Sequence, residues 1–303
     1  MTPFNHTLTE LALPSSMAQS SLPLPLAAPI KIEGNINQQL LKDELQNLET
    51  SLNTVAIGGA SQDAGLLTFD IGIDEVGRGP LYGSVVVSGA VLPSKWSAEI
   101  EQNPLQDTAL SILTDSKKLT EAKRERLFDP IKQHALAYII VEIPAAVIDE
   151  VNILQATMLG MRLAGEQLMI AVVGALRSNL ANTTEPNIRF NLLVDGNKLP
   201  DLDWSLLQQY GIGNFQGSKC SVYGEAWVKG DARHSAIAAA SVLAKVSRDR
   251  QLIADGATYP GYGLEGHKGY PTKAHIAAIQ QLGVLPQHRR SFKPVQQALE
   301  QSS

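Results

Sequence analysis

Asp74 and Glu75 stand side by side where an apolar run, Leu67–Ile73, stops, and they lead straight into Val76-Gly77-Arg78-Gly79. Asp195 closes a second apolar run, Phe190–Val194, and Asp231 follows Lys229-Gly230 just ahead of a helical pattern that starts near His234. Within a regular strand neighbours point to opposite faces. Where a strand stops the backbone turns, so both members of an Asp-Glu pair can approach one site. Open α/β sheets bind their ligands at such ends. Four carboxylates gathered at one rim repel each other unless a cation lies among them, and hard oxygen ligands point to Mg²⁺ or Mn²⁺. Two such ions about 4 Å apart can activate a water and stabilise a leaving oxygen in phosphoryl chemistry. Each residue alone has an ordinary reading as a turn former or helix cap, Asp231 above all. The combination is what carries the inference.

Other acidic residues read differently. Asp249, within Ser247-Arg248-Asp249-Arg250, reads as a surface ion pair late in a helix. Asp70 lies mid-strand and Asp115 precedes Ser116-Lys117-Lys118; both read as structural or substrate-adjacent.

The elements that must position the carboxylates can be outlined from periodicity. Strands are expected at Leu67–Ile73 and Ser84–Leu92, paired as a hairpin across the Gly-rich turn, and at Ala137–Ile143 and Phe190–Val194. Helices are expected at Thr120–Gln133, Asn152–Leu176, His234–Ile253 and Thr272–Gln281. Hairpin strands followed by strands separated by helices predict an α/β fold, a mixed sheet covered by helices. The long apolar stretch Asn152–Leu176 carries Arg162, Glu166 and Gln167, so it reads as a buried or amphipathic helix rather than a membrane span. Residues 1–66 differ: Leu13–Ile30 is rich in Pro, Ser, Ala and Leu, a short helix is expected around Asn37–Leu52, and Gly58-Gly59-Ala60-Ser61 looks like a linker. This segment reads as a mostly disordered extension before a catalytic domain at 67–303.

Charge is uneven along the chain. The net charge of −5 weakly disfavours a nucleic-acid partner, yet residues 229–303 hold 10 basic and 5 acidic side chains. A basic end beside an acidic middle suits a protein that grips phosphates with one face and cations with another, although an unevenly charged solvated surface explains it about as well. A single cysteine, Cys220, leaves no internal disulfide and no cysteine-based zinc site, which fits a reducing compartment. The start lacks a basic and then apolar secretory signal, and the first arginine is Arg78.

The segments Gly72-Ile73-Asp74-Glu75-Val76-Gly77-Arg78-Gly79-Pro80-Leu81, Asp115-Ser116-Lys117-Lys118-Leu119, Ile148–Thr157, Val194-Asp195-Gly196-Asn197, Lys229-Gly230-Asp231, Ile237–Val246, His267-Lys268-Gly269-Tyr270 and His288-Arg289-Arg290-Ser291-Phe292 together resemble bacterial ribonuclease HII, the type 2 ribonuclease H, in the order of that family. The resemblance implies a ribonuclease H-like fold with a helical C-terminal part from about residue 272. It implies Asp74, Glu75, Asp195 and Asp231 as the catalytic, metal-binding set. It further implies that Gly77, Arg78 and Gly79 detect the ribose 2′-OH and that Tyr270 packs on the deoxyribose at an RNA–DNA junction. Glycines let backbone groups approach that hydroxyl, which alone separates RNA from DNA at one position. Lys117, Lys118, Lys229 and Lys268 are candidate phosphate contacts. Without the resemblance, Gly77 and Gly79 read as a plain turn and Tyr270 as a half-buried core tyrosine.

Departures from the family pattern are Tyr82, Ser84 and Pro271, a longer stretch between Leu199 and Val228 that reads as a surface excursion, and the N-terminal 66 residues, which have no family counterpart. The expected function is hydrolysis of RNA in RNA–DNA hybrids and nicking 5′ of single ribonucleotides in duplex DNA, leaving 3′-hydroxyl and 5′-phosphate ends. The expected agent is a cytoplasmic monomer using Mg²⁺ or Mn²⁺. A DNA nuclease or resolvase on the same fold and a non-catalytic hybrid-binding protein are the alternatives.

Overall fold

The strand and helix patterns from residue 66 onward assemble into one six-stranded mixed sheet with helices on both faces. A computed structural model describes residues 28–55, 66–113, 119–180 and 185–301, residues 48–55 by backbone alone. The strands are β1 (Lys31–Ile36), β2 (Leu66–Val76), β3 (Val85–Val91), β4 (Ala137–Ile143), β5 (Asn187–Asp195) and β6 (Cys220–Trp227), in the order β1-β4-β3-β2-β5-β6. The β1, β4, β3 and β2 neighbours pair antiparallel, whereas β2, β5 and β6 run parallel. Every residue of β3, Val-Val-Val-Ser-Gly-Ala-Val, is buried, as expected of a strand covered on both faces.

The helices are α1 (Gln38–Val55), α2 (Glu121–His134), α3 (Ala145–Val151), α4 (Ile153–Asn179), α5 (Trp204–Gln209), α6 (Ser235–Thr258), α7 (Leu264–His267), α8 (Lys273–Leu282) and α9 (Lys293–Gln301). One core lies between the sheet and α4, where Ile71, Ile73, Leu192 and Val194 meet Leu163, Ala164 and Leu168. A second lies on the other face, where Val86, Ala90 and Ile140 meet α6 and α2. Helix α4 has the length and apolarity to cross a membrane, but 89% of its apolar window is buried inside this fold, so it is a core helix. Two small clusters tie Leu81 and Tyr82, from the turn after β2, to the C-terminal helices.

Helix α6 approaches the sheet through small residues. Ala236, Ala238, Ala239 and Ala240 are fully buried, and a Cβ on Gly72 would fall 2.1 Å from the Ala236 carbonyl carbon and 2.3 Å from the Ile237 nitrogen. Backbone cannot yield as a side chain can. Gly72→Ala should therefore destabilise the fold at the top of the roughly 1–3 kcal/mol range for overpacking. Urea unfolding measures it, and a loss below about 1 kcal/mol would mean that α6 slides freely on the sheet.

Two expectations need correction. Residues 31–55 are not disordered: β1 pairs along β4, Asn37 N donates to Leu136 O at 2.8 Å, and Leu41 and Leu45 of α1 are buried. Gly34 and Asn35 interrupt any strand alternation in Lys-Ile-Glu-Gly-Asn-Ile, so β1 is legible only through its partner. Residues 1–27 and 56–65, including the proposed linker, lie outside the described residues. The 199–228 stretch is not a surface excursion either. It contributes α5 and the edge strand β6, and Cys220 is fully buried beside β5.

Candidate active site

Strand β2 continues through Val76, so Asp74 and Glu75 do not sit at a strand end as expected. What stops there is the pairing between β2 and β5, whose last pair is Ile73 with Val194. Asp74 and Asp195 are the next residues on these parallel neighbours, whose backbones lie about 5 Å apart. Like Gly72, Asp74 falls on the α6 face, and Ser241 of α6 hydrogen-bonds to it. Burial first, then the charges of Asp195 and Glu75, hold the Asp74 carboxyl well above the usual carboxylate range, against hydrogen bonds from Ser241 and the Glu75 backbone. The latter is short: Glu75 N donates to Asp74 Oδ1 at 2.7 Å.

Burial also raises the Glu75 carboxyl, opposed by Arg78. Glu75 Oε1 accepts from Arg78 Nη1 at 3.2 Å, while Oε2 is buried with no hydrogen-bond partner. Asp195 Oδ1 accepts from Gly230 N at 2.7 Å, which brings the following residue, buried Asp231, to the same end of the sheet. Asp231 lies in the 3-10 turn Gly230–Ala232 and does not cap α6; His234 does, its Nδ1 accepting from Ala236 N at 3.3 Å. Asp74, Glu75 and Asp195 thus feel one another's charge, and Asp231 joins through its neighbour. Among the described residues no group of three or more His, Cys, Asp or Glu side chains already stands in metal-holding geometry. The chemistry nonetheless fits a hard divalent cation: the donors are all carboxylate oxygens, they repel, and one buried oxygen is unpartnered.

The turn after β2 is held from beneath. Gly77 has φ +91°, and a Cβ there would meet Arg248 Nε at 2.2 Å. Arg248 and Arg289 are fully buried, and every hydrogen bond their guanidiniums make goes to backbone carbonyls. Arg289 donates to Gly77 O at 2.5 Å, Arg78 O at 2.9 Å, Pro80 O at 2.8 Å and Gly83 O at 2.9 Å. Arg248 donates to Tyr82 O, Ser84 O and Lys268 O. Burial lowers both guanidiniums, Arg248 to about 10 and Arg289, with Arg248 as the next cause, to about 9. Arg78 itself is half-exposed above the turn.

Tyr270 is not a core tyrosine. Its side chain is exposed, and its ring lies 3.4 Å from where a Gly79 Cβ would stand. Lys268 O is held by Arg248, and Lys268 Nζ lies 3.7 Å from Glu121 Oε1. Lys229 is exposed in a left-handed conformation beside Gly230. Lys117, with Asp115 and Lys118, lies outside the described residues. Asp70 is structural, accepting from Ser97 Oγ at 2.9 Å and Asn191 Nδ2 at 2.8 Å. Asp249 does form an ion pair, with Lys245 Nζ at 2.8 Å, but from a buried position to a half-buried lysine rather than as the surface pair expected.

Sequence reasoning missed the roles of Arg248 and Arg289. Arg248 lies seven residues after Ser241, two turns along the helix face that reaches Asp74, a weak signal that the adjacent charges obscured.

Comparison with known proteins follows the same lines. The sequence model of the family described as Ribonuclease HII matches residues 71–188 and 208–295. These intervals contain Asp74, Glu75, Gly77, Arg78, Gly79, Asp231 and Tyr270, while Asp195 falls between them. A protein named Ribonuclease HII from Psychrobacter sp. (strain PRwf-1) is 60% identical over 291 residues, covering 93% of this chain and 92% of that one. Another so named, from Shewanella pealeana (strain ATCC 700345 / ANG-SQ1), is 43% identical over 228 residues, covering 75% of this chain and 89% of that one. The greater coverage by the Psychrobacter protein extends into residues 1–66, so that segment does have a counterpart among relatives. The crystal structure of Bst-RNase HIII in complex with Mn²⁺ matches with a TM-score of 0.50 at 16% identity, covering 95% of this chain and 94% of that one; it shares the fold.

Proposed function

Since the chain belongs to the ribonuclease HII family and is thus an endonucleolytic ribonuclease H, we propose that it hydrolyses RNA in RNA–DNA hybrids and nicks duplex DNA 5′ of single embedded ribonucleotides. Water attacks phosphorus, the bond to the ribose-side 3′ oxygen or, at an isolated ribonucleotide, to the preceding deoxyribose 3′ oxygen breaks, and 3′-hydroxyl and 5′-phosphate ends remain. The observation that carries the reading is the continuity of two functions on one surface: Glu75 of the acidic set accepts from Arg78 of the glycine-rich turn at 3.2 Å.

In this reading Asp74, Glu75, Asp195 and Asp231 hold Mg²⁺ or Mn²⁺. The cation supplies Lewis acidity at the scissile phosphate and makes an attacking water more acidic. The chain's own residues orient the substrate. The backbone at exposed Gly79 carries no Cβ to keep a 2′-hydroxyl away, Gly77 leaves room for Arg248 beneath the turn, and Arg289 fixes the Gly77 and Arg78 carbonyls from below. Arg78 reaches phosphate or sugar oxygens. Tyr270 offers an apolar ring beside Gly79 for a deoxyribose. Lys229 and Lys117 steer backbone phosphates. The working form is a cytoplasmic monomer.

Cleavage of three duplexes with Mg²⁺ or Mn²⁺ tests this: all-DNA, DNA with one ribonucleotide, and a hybrid with an all-RNA strand. Nicking 5′ of the single ribonucleotide and none of the all-DNA duplex is expected. All-DNA cleavage at a similar rate would instead favour a DNA nuclease, and hybrid binding without turnover a binding protein.

A further inference from the structure

Three histidines, His267, His275 and His288, form a cluster behind Tyr270 that the proposed chemistry does not use. An N–H group can only donate, so the contacts fix the tautomer of each ring. Leu285 N donates to His288 Nδ1 at 2.8 Å, which leaves the proton on His288 Nε2. That nitrogen lies 3.1 Å from His275 Nε2, which must accept, so the His275 proton is on Nδ1. His275 Nδ1 lies 3.0 Å from Tyr270 O and donates to it. On the other side Gly269 N donates to His267 Nδ1 at 3.1 Å, leaving Nε2–H for Tyr262 O at 2.8 Å. His267 stacks on His275 with ring centroids 4.3 Å apart.

The chain of donation runs in one direction, from Leu285 N through His288 and His275 to the carbonyl of Tyr270. His275 and His288 are buried, and every ring nitrogen of the three is used. Both are held neutral: burial first, then a neighbouring imidazole, lowers each to about 4. Tyr270 is otherwise held by its own N–H to His267 O at 3.0 Å and by Thr272 N donating to its carbonyl at 2.8 Å. Its ring is exposed beside Gly79, so its aim depends on how firmly this backbone is pinned.

We propose that His275 and His288 are positioning residues for junction recognition, a tautomer-locked imidazole relay that aims the Tyr270 ring at the sugar beside the scissile ribonucleotide. The proposal rests on the junction-sensing reading of Tyr270 given above.

The test is the ratio of kcat/KM for a duplex with one ribonucleotide to that for a hybrid with an all-RNA strand. His275→Phe keeps a planar ring but neither donates nor accepts. It should lower the ratio on the order of tenfold, in kcat more than KM, because a misaimed group costs transition-state positioning. His275→Asn, whose amide nitrogen stands in for Nδ1, should recover most of that loss. His288→Asn keeps an acceptor for Leu285 N but is too short to reach His275; it should lower the ratio even where His275→Phe fails to fold. In a Tyr270→Ala background neither change should lower the ratio further.

Equal losses on both substrates would mean a merely structural role and overturn the proposal. So would a ratio that falls with Tyr270→Ala but not with either histidine variant. A ratio indifferent to Tyr270→Ala would remove the junction reading itself, and the proposal with it.

Discussion

Asp74→Asn should lower hybrid cleavage by on the order of a thousandfold or more while raising the melting temperature of the metal-free protein. The first effect follows from the proposed role of Asp74 as a charged oxygen ligand: several kcal/mol of transition-state stabilisation would depend on the cation, and each 1.4 kcal/mol or so is a factor of ten. The second follows from the free protein's electrostatics. Burial, Asp195 and Glu75 all raise the Asp74 carboxyl above its unfolded value. A group raised on folding contributes stability below its unfolded pKa and loses it as pH rises through the folded one. Above its unfolded pKa the wild type therefore carries an electrostatic cost of folding that Asn lacks, and Asn can still accept from Glu75 N.

Melting without metal should favour the variant by a few degrees, at about 2–4 °C per kcal/mol for a domain of this size. The gap should widen as pH rises from the ordinary carboxylate value of 3.8 through the raised folded one. Added Mg²⁺ or Mn²⁺ should then raise the wild type more than the variant. A variant less stable than wild type across that range, or one that retains cleavage, would rule out the proposed role of Asp74 as a cation ligand.

Arg289→Lys should cost about 3 kcal/mol or more and blunt the distinction between ribose and deoxyribose. Arg289 makes four hydrogen bonds to the carbonyls of Gly77, Arg78, Pro80 and Gly83 from a fully buried position. A lysine is a single point of charge without the planar fork, so it cannot meet carbonyls on both sides of the turn. Each carbonyl left buried and unpartnered costs about 1–3 kcal/mol. The same loss frees the Gly77–Gly79 backbone to move, so preference for a ribonucleotide duplex over all-DNA should fall along with stability. Urea unfolding and paired cleavage assays measure both. A loss under about 1 kcal/mol with unchanged preference would show that Arg248 holds the turn alone.

The contiguous parts of the proposed site stand out in the sequence because candidate chemistry and local structure share one stretch of chain. Asp74-Glu75 followed by Gly77-Arg78-Gly79 declares both carboxylates and a close backbone approach. Strand β4 was read to its true ends, Ala137 and Ile143, because its run is apolar and buried on both faces at every position but Glu142. Strand β6 escaped because it is an edge: Cys220 and Val222 turn inward while Tyr223, Gly224, Glu225 and Ala226 are exposed, which reads as a loop. Arg248 and Arg289 escaped for a different reason. Each sits within a pair of residues of like type or opposite charge, and nothing local says which one turns inward. Their choice is made mostly by carbonyls more than 160 residues away in sequence, Lys268 O being the one near partner. The histidine relay has no period at all; positions 267, 275 and 288 meet only once α7, α8 and the segment after them have packed.

The grip of Arg289 on Gly77 also sets an order of events when the chain is made. The contact spans 212 residues of sequence. At about 5–20 residues per second on a ribosome, roughly 10–40 seconds separate the synthesis of the turn from that of the arginine that shapes it. During that interval the acidic strands can pair, but the turn lacks its clamp. Newly made chains, which emerge beside the messenger that encodes them, gain the finished turn proposed to read the ribose only near the end of translation.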